Sequence, residues 1–269
     1  MKVWQSIFYL WAVPLGAASL PSDDLARMAA ADFVILGETH DNPDHHLTQA
    51  EIVVGIKPAA IVYEMLTPDQ ATLVTPELIA QPEALREALK WDASGWPEFS
   101  LYAPVFIAHP EARVYGAQVP RQAAREVLSE GLVAVFGEGA AKYGLDEALP
   151  EDQQETREAM QMAAHCDALP VEMLPDMVAI QRLRDATLAQ MAVQARQESG
   201  APVVIITGNG HARRDWGIPV YLARVMPEAQ LFVLGQAEDG VAPDGGFDAI
   251  LSAPAAERED PCHAFRRAD

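Results

Sequence analysis

Five short apolar runs punctuate the chain, each followed at once by glycine or glutamate: DFVIL (Asp32–Leu36), AAIVY (Ala59–Tyr63), ARVY (Ala112–Tyr115), PVVIIT (Pro202–Thr207) and QLFVL (Gln230–Leu234). They are too short for helices and rich in β-branched and aromatic residues, as strands buried on both faces are. Helical patterns separate them, so the expected fold is α/β, with a mainly parallel central sheet flanked by helices. A largely helical insertion is expected between the third and fourth runs, over about 120–198. It is rich in Ala, Glu, Gln, Arg and Leu and is broken near Pro170 and Pro175. Beyond Asp239 the sequence turns rich in Gly, Pro and Ala, so 239–269 reads as a C-terminal tail with one weak strand, FDAIL (247–251).

The residues directly after the strands carry the chemistry. Gly37-Glu38-Thr39-His40 comes after the first run, Glu64 after the second, and Gly208-Asn209-Gly210-His211 after the fourth. Open parallel sheets bind ligands outside the carboxyl ends of their strands, at a switch in strand order. Glu38, His40, Glu64 and His211 are therefore expected to converge on one edge, where glycines allow close backbone approach. Any one of these residues alone reads as a solvated loop residue or a helix cap; the combination reads as a site. Carboxylates and imidazoles suit a divalent metal or general acid–base catalysis, with Glu38 as candidate base. Asn42 and Pro43 start the next helix as N-cap and first helical residue. On it His45 is expected to be solvated, and His46 either solvated or turned back toward His40; Glu38, His40, His46 and His211 form the candidate metal set.

Charge narrows the partners. The 269 residues hold 19 Lys plus Arg against 39 Asp plus Glu, a net charge of −20, which argues against a nucleic-acid partner. Residues 1–18 read as a signal peptide: one lysine, an apolar run from Ile7 to Leu15, then Gly16-Ala17-Ala18. A periplasmic location is expected for residues 19–269, with no lipid anchor because no cysteine follows the small residues. Cys166 and Cys262 read either as one disulfide tying the tail to the body or as two unpaired thiols. Met160, Met162, Met173, Met177 and Met191 fall in the helical insertion and are expected to fill core. Arg184 and Asp185 interrupt an apolar helix pattern and need partners if buried.

Taken together, ILGETHDNPDHH, VYEML, WPEFSLYAP, VYGAQVPR, AIQRLRDATLAQMA and ITGNGHARRDWGIPVYL resemble the ChaN-like haem-binding proteins of the Tiki superfamily, in order from about residue 30 to 235. The resemblance makes residues 19–238 one ChaN-like domain and implies haem as cofactor, a role in haem or iron acquisition, a homodimer around the cofactor and an outer-membrane haem receptor as partner. It also implies tyrosine ligation of iron, for which Tyr102 and then Tyr143 are the matching positions, and places Arg184 and Arg213 as candidates for the propionates. Arg184 could instead hold Glu38 or a substrate carboxylate. GETH and GNGH are shared with Tiki metalloproteases and erythromycin-esterase-like hydrolases. The alternative is therefore a metal-dependent hydrolase or peptidase using Glu38, His40, Glu64 and His211.

Overall fold

The structure, a computed structural model, describes residues 21–264, so the expected signal peptide lies outside the described residues. Six strands form one parallel sheet: β1 (Phe33–Glu38), β2 (Ala60–Tyr63), β3 (Arg113–Gly116), β4 (Val203–Gly208), β5 (Leu231–Glu238) and β6 (Ala249–Ala253), in the order β3-β2-β4-β1-β5-β6. The helices between them are α1 (Ser22–Ala30), α2 (Pro43–Ile56), α3 (Pro68–Ala71), α4 (Pro76–Ile79), α5 (Pro82–Ala88) and α6 (Phe99–Ala108). After β3 come α7 (Arg121–Glu130), α8 (Leu132–Phe136), α9 (Glu151–Ala164) and α10 (Leu174–Ser199); α11 (Asn209–Ala212) and α12 (Ile218–Val225) come after β4.

The parallel α/β architecture arises from alternation along each strand. Val34, Leu36, Ile61, Tyr63, Val204 and Ile206 face one core with residues of α2 and α6, while Phe33, Ile35, Val62, Val203 and Ile205 face the other with α10 and α12. Every residue of β1 and β4 is buried, which is why these runs are apolar on both faces. The helical insertion is present as α7–α10. A second helical stretch, between β2 and β3, holds three short helices that each begin at a proline, Pro68, Pro76 and Pro82, whose fixed φ suits a first helical position.

β3 and β4 end one residue past their expected ends, at Gly116 and Gly208, and β1 and β5 extend further. β1 includes Glu38 and β5 runs on to Glu238, so both acids belong to the sheet. The weak strand falls two residues later than expected, at Ala249–Ala253, and pairs with β5 as an edge of the same sheet. The segment after β6 is strapped down. Asn42 donates to Glu238 Oε1 at 2.7 Å and to the Pro254 carbonyl at 2.9 Å, and Arg258 bridges Asp41 and Glu238. Cys166 and Cys262 are joined as a disulfide, tying the tail to the end of α9.

The hydrogen bonds of Arg258 outweigh burial and, with Asn42 and the Ala256 N–H, hold the Glu238 carboxyl down at about 2. A folded-state value below the ordinary 4.5 means the strap stabilises fully above that pH and fades as pH falls toward 2. Glu238→Gln is thus expected to melt below the wild type at pH 6, with the gap closing as both are melted at successively lower pH down to 2. A gap that stays constant across that range would show that the charge on Glu238 contributes nothing.

Candidate functional site

The strand order places the site. The chain leaves β1 toward β2 on one side and leaves β4 toward β5 on the other, so the switch in direction falls between the neighbours β1 and β4. Their register sets Glu38 opposite Gly208, which brings the GETH and GNGH segments side by side at the carboxyl edge. Asn209 exchanges hydrogen bonds with Gln236 of β5, and Gln236 donates to the Gly37 carbonyl at 2.7 Å, fixing the backbone there. Gly37 is required: a Cβ at this position would overlap the Asn209 side chain.

Two clusters share this edge. In the first, the buried Glu38 carboxylate accepts from Tyr102 Oη at 3.0 Å and Gln49 Nε2 at 2.8 Å, and pairs with His40 Nδ1 at 2.8 Å. His46 is fully buried beside it, its Nδ1 3.4 Å from Glu38 Oε2 and its Nε2 on the His40 carbonyl at 2.9 Å. Glu38 is thus fully engaged and is not free to act as the base expected of it. His40 is the outward-facing member, with a side chain 37% exposed and Trp96 edge-on at 4.9 Å. Burial works against its charge, but the Glu38 hydrogen bond and the nearby charges of Glu64, Glu38 and Asp41 raise it to about 9. Its Nε2 makes no hydrogen bond among the described residues and lies over Gly208, where the missing Cβ leaves room.

In the second cluster, Glu64 accepts from Thr207 Oγ1 at 2.7 Å and the Gly208 N–H at 2.9 Å, while His211 Nε2 stands 3.6 Å from its other oxygen. His211 Nδ1 pairs with Asp185 of α10 at 2.6 Å. Burial would raise the Glu64 carboxyl, but the charges of His211 and His40 and the Thr207 and Gly208 hydrogen bonds hold it at about 2. Burial opposes charge on His211 as well, yet Glu64 and Asp185 raise it above its ordinary range.

The four strand-end residues meet; of the other expected positions, His46 and Tyr102 join the Glu38 cluster, Arg184 and Arg213 line cavities at the same edge, and Tyr143 lies elsewhere. Glu38, His40, His46 and His211 divide between the two clusters, and among the described residues no group of three or more His, Cys, Asp or Glu has the geometry to hold a metal ion. This corrects the metal set: Glu38 is taken up by Tyr102, Gln49 and His40, while His46 turns its Nε2 onto the His40 carbonyl and its buried Nδ1 makes no hydrogen bond among the described residues. His45, expected in solvent, is fully buried, with its Nδ1 accepting from the Thr39 N–H at 2.9 Å and its Nε2 3.3 Å from the Ala237 carbonyl. Tyr102 is fully enclosed, its ring against His46 and Trp91 and its hydroxyl on Glu38, so no face is open to a planar ligand. Tyr143 is buried against Phe136, away from both clusters. Arg213 is spent on Asp215 and stacks on Trp216 at 3.6 Å. Arg184 does not reach Glu38. Core was expected for the five methionines of the insertion, yet none is fully buried: Met160 is 41% exposed, and Met162, Met173, Met177 and Met191 are half-buried.

Sequence reasoning missed Gln49 and the pairing of Asp185 with His211. The signal for the second was present, an acid in an apolar helix pattern, but nothing local names its partner.

Two cavities open on this edge and share His40, Gln181 and His211. One, of about 230 Å³, has Met160, Val178 and Trp216 as an apolar wall. The other, of about 350 Å³, is polar and reaches Glu64, Trp96, Arg121 and Arg184.

A parallel sheet flanked by helices, with carboxylate–imidazole pairs facing cavities at its strand-order switch, defines an α/β protein with its candidate site at the carboxyl edge. The chain belongs to the family described as haem-binding uptake, Tiki superfamily, ChaN, whose model matches residues 25–222. The fold is similar to that of ChaN of Campylobacter jejuni, a structure describing cofacial haem binding: 18% identity, TM-score 0.65, covering 85% of this chain and 90% of that one. Looser overlaps are found with the type III effector HopBA1 (10% identity, TM-score 0.48, 86% and 92% covered) and with an erythromycin esterase mutant, EreC, in its open conformation (15%, 0.44, 80% and 73%). No curated protein matches the chain.

Proposed function

We propose that this protein is an exported haem-binding protein acting in haem or iron handling in the bacterial cell envelope. The observation that carries the reading is His40: half-exposed, anchored at Nδ1 by a buried carboxylate, with Nε2 free where two cavities adjoin. An imidazole oriented in this way by its second nitrogen is a good axial ligand for haem iron, which on binding displaces the proton that His40 otherwise holds up to about pH 9. Family membership supplies the cofactor, and Met160, Val178 and Trp216 supply an apolar wall for a porphyrin face. His40 thus takes the ligand role expected of Tyr102.

The cavities, about 230 and 350 Å³, fall below and at the small end of the roughly 300–1,000 Å³ range of ligand pockets, so one chain would cover only part of a haem. A second copy across the open face would cover the rest. Haem is then cargo, handed to or from an outer-membrane receptor. The disulfide supports export, since such bonds persist in oxidising compartments.

Titration with ferric haem tests this. A saturable Soret shift is expected, lost in His40→Ala and kept in Tyr102→Phe, although the latter is expected to cost about 2 kcal/mol of stability through its lost bond to a charged acceptor. Loss in Tyr102→Phe with retention in His40→Ala would return the ligand to the phenolate, and no saturable shift would discard haem.

The alignment Asp185–His211–Glu64 favours a second reading, a hydrolase in which Asp185 orients His211 for proton transfer. Its donor set does not converge on a divalent ion, so the acid–base form is the one the geometry supports. Hydrolysis of p-nitrophenyl acetate that is abolished in His211→Ala and insensitive to chelator would support it; activity equal in wild type and variant would end it.

A further inference from the structure

Cations are scarce in a chain of net charge −20, and most described arginines sit on a carboxylate, as Arg113 does on Glu198 and Arg196 on Asp32. Arg184 and Arg121 are different. Among the described residues neither makes an ion pair or a hydrogen bond, yet both line the same polar cavity of about 350 Å³. Glu64, the acid of that cavity, is not the counter-ion, because its oxygens face Thr207, Gly208 and His211.

The placement of the two guanidiniums is built into the fold. Gln181, Arg184 and Leu188 recur at helical spacing and present one face of α10 to the cavity. Arg121 is the first residue of α7, shortly after the β3 edge, and reaches across to the Ser94–Trp96 loop. There Gly95 has φ +86°, and a Cβ on it would come within 2.5 Å of the Arg121 guanidinium. A residue that tolerates this φ and lacks a Cβ is what leaves Arg121 room. Guanidinium groups keep their charge at any working pH and match a carboxylate with paired N–H donors. Gln118, Gln181 and Ser94 add neutral polar groups around them.

We infer that this cavity is a carboxylate-binding site, in which Arg184 and Arg121 hold a carboxylate of an organic acid beside His40 and Glu64. Two sources share that chemistry, a haem propionate and a free small carboxylic acid. The propionate version rests on the haem reading; the site itself does not.

Calorimetric titration with succinate, and spectroscopic titration with ferric mesohaem and its dimethyl ester, test the site and separate the sources. Saturable succinate binding is expected, weakened at least tenfold in Arg184→Gln and in Arg121→Gln and unchanged in the ion-paired surface control Arg86→Gln. If the carboxylate is a propionate, mesohaem binds at least tenfold more tightly than its ester, and Arg184→Gln removes that gap. Succinate binding without the gap assigns the site to a free acid. Equal binding of mesohaem and ester, with no saturable succinate binding, overturns the site and leaves haem binding standing. Succinate binding without any Soret shift does the reverse. Unchanged melting of both arginine variants excludes misfolding as the cause.

Discussion

Glu38→Ala is expected to lower unfolding free energy by about 3–5 kcal/mol, the scale for removing one partner from a buried charged network. One substitution removes the carboxylate acceptor of the Tyr102 hydroxyl, the Gln49 amide and the inner nitrogen of His40, and the charge 3.4 Å from buried His46. Buried Tyr102 and Gln49 are then left only their longer bonds, to the His40 and Leu36 carbonyls, a cost larger than the lost bonds' net worth. Glu38→Gln keeps the shape and one acceptor oxygen and is expected to lose less. Urea unfolding of both variants measures this; a Glu38→Ala loss of under about 1 kcal/mol would mean that water replaces the carboxylate and that the cluster is not a structural keystone.

Removing the disulfide is the second large effect. Cys166 and Cys262 are 96 residues apart, so the bond closes a long loop and restricts the unfolded chain strongly. The double variant Cys166→Ser/Cys262→Ser is expected to be about 2–5 kcal/mol less stable than the oxidised protein, and reductant should bring the wild type to the same level. The double variant itself should ignore reductant. A loss confined to a few tenths of a kcal/mol would show that the Arg258 bridge to Asp41 and Glu238 already holds the tail.

How much of this was legible in the sequence differs by element. The strands were, because a strand buried on both faces needs an unbroken apolar run, and that is a local property. The polar strand ends were legible for the same reason: Glu38, His40, Glu64 and His211 stand at or just after the ends of such runs, where a parallel sheet exposes its carboxyl edge. Burial of His45 was not legible. Its helix starts normally with Asn42 and Pro43, and only the extension of β5 to Glu238 puts the Ala237 carbonyl against it. Met160 departs from expectation for a related reason: helical spacing says which residues share a face, not whether another element covers it.

The sequence by itself determined the class of fold, the edge on which the candidate site lies and the residue types that form it. Tertiary structure decided who pairs with whom. The β1–β4 register sets Glu38 opposite Gly208, α6 delivers Tyr102 onto Glu38 from 64 residues away, and α10 delivers Asp185 to His211 while turning Arg184 into the adjoining cavity. The physical reason is range. Propensity and periodicity act over a few residues, whereas an acid buried among several donors takes the partner that long-range packing brings within hydrogen-bond distance.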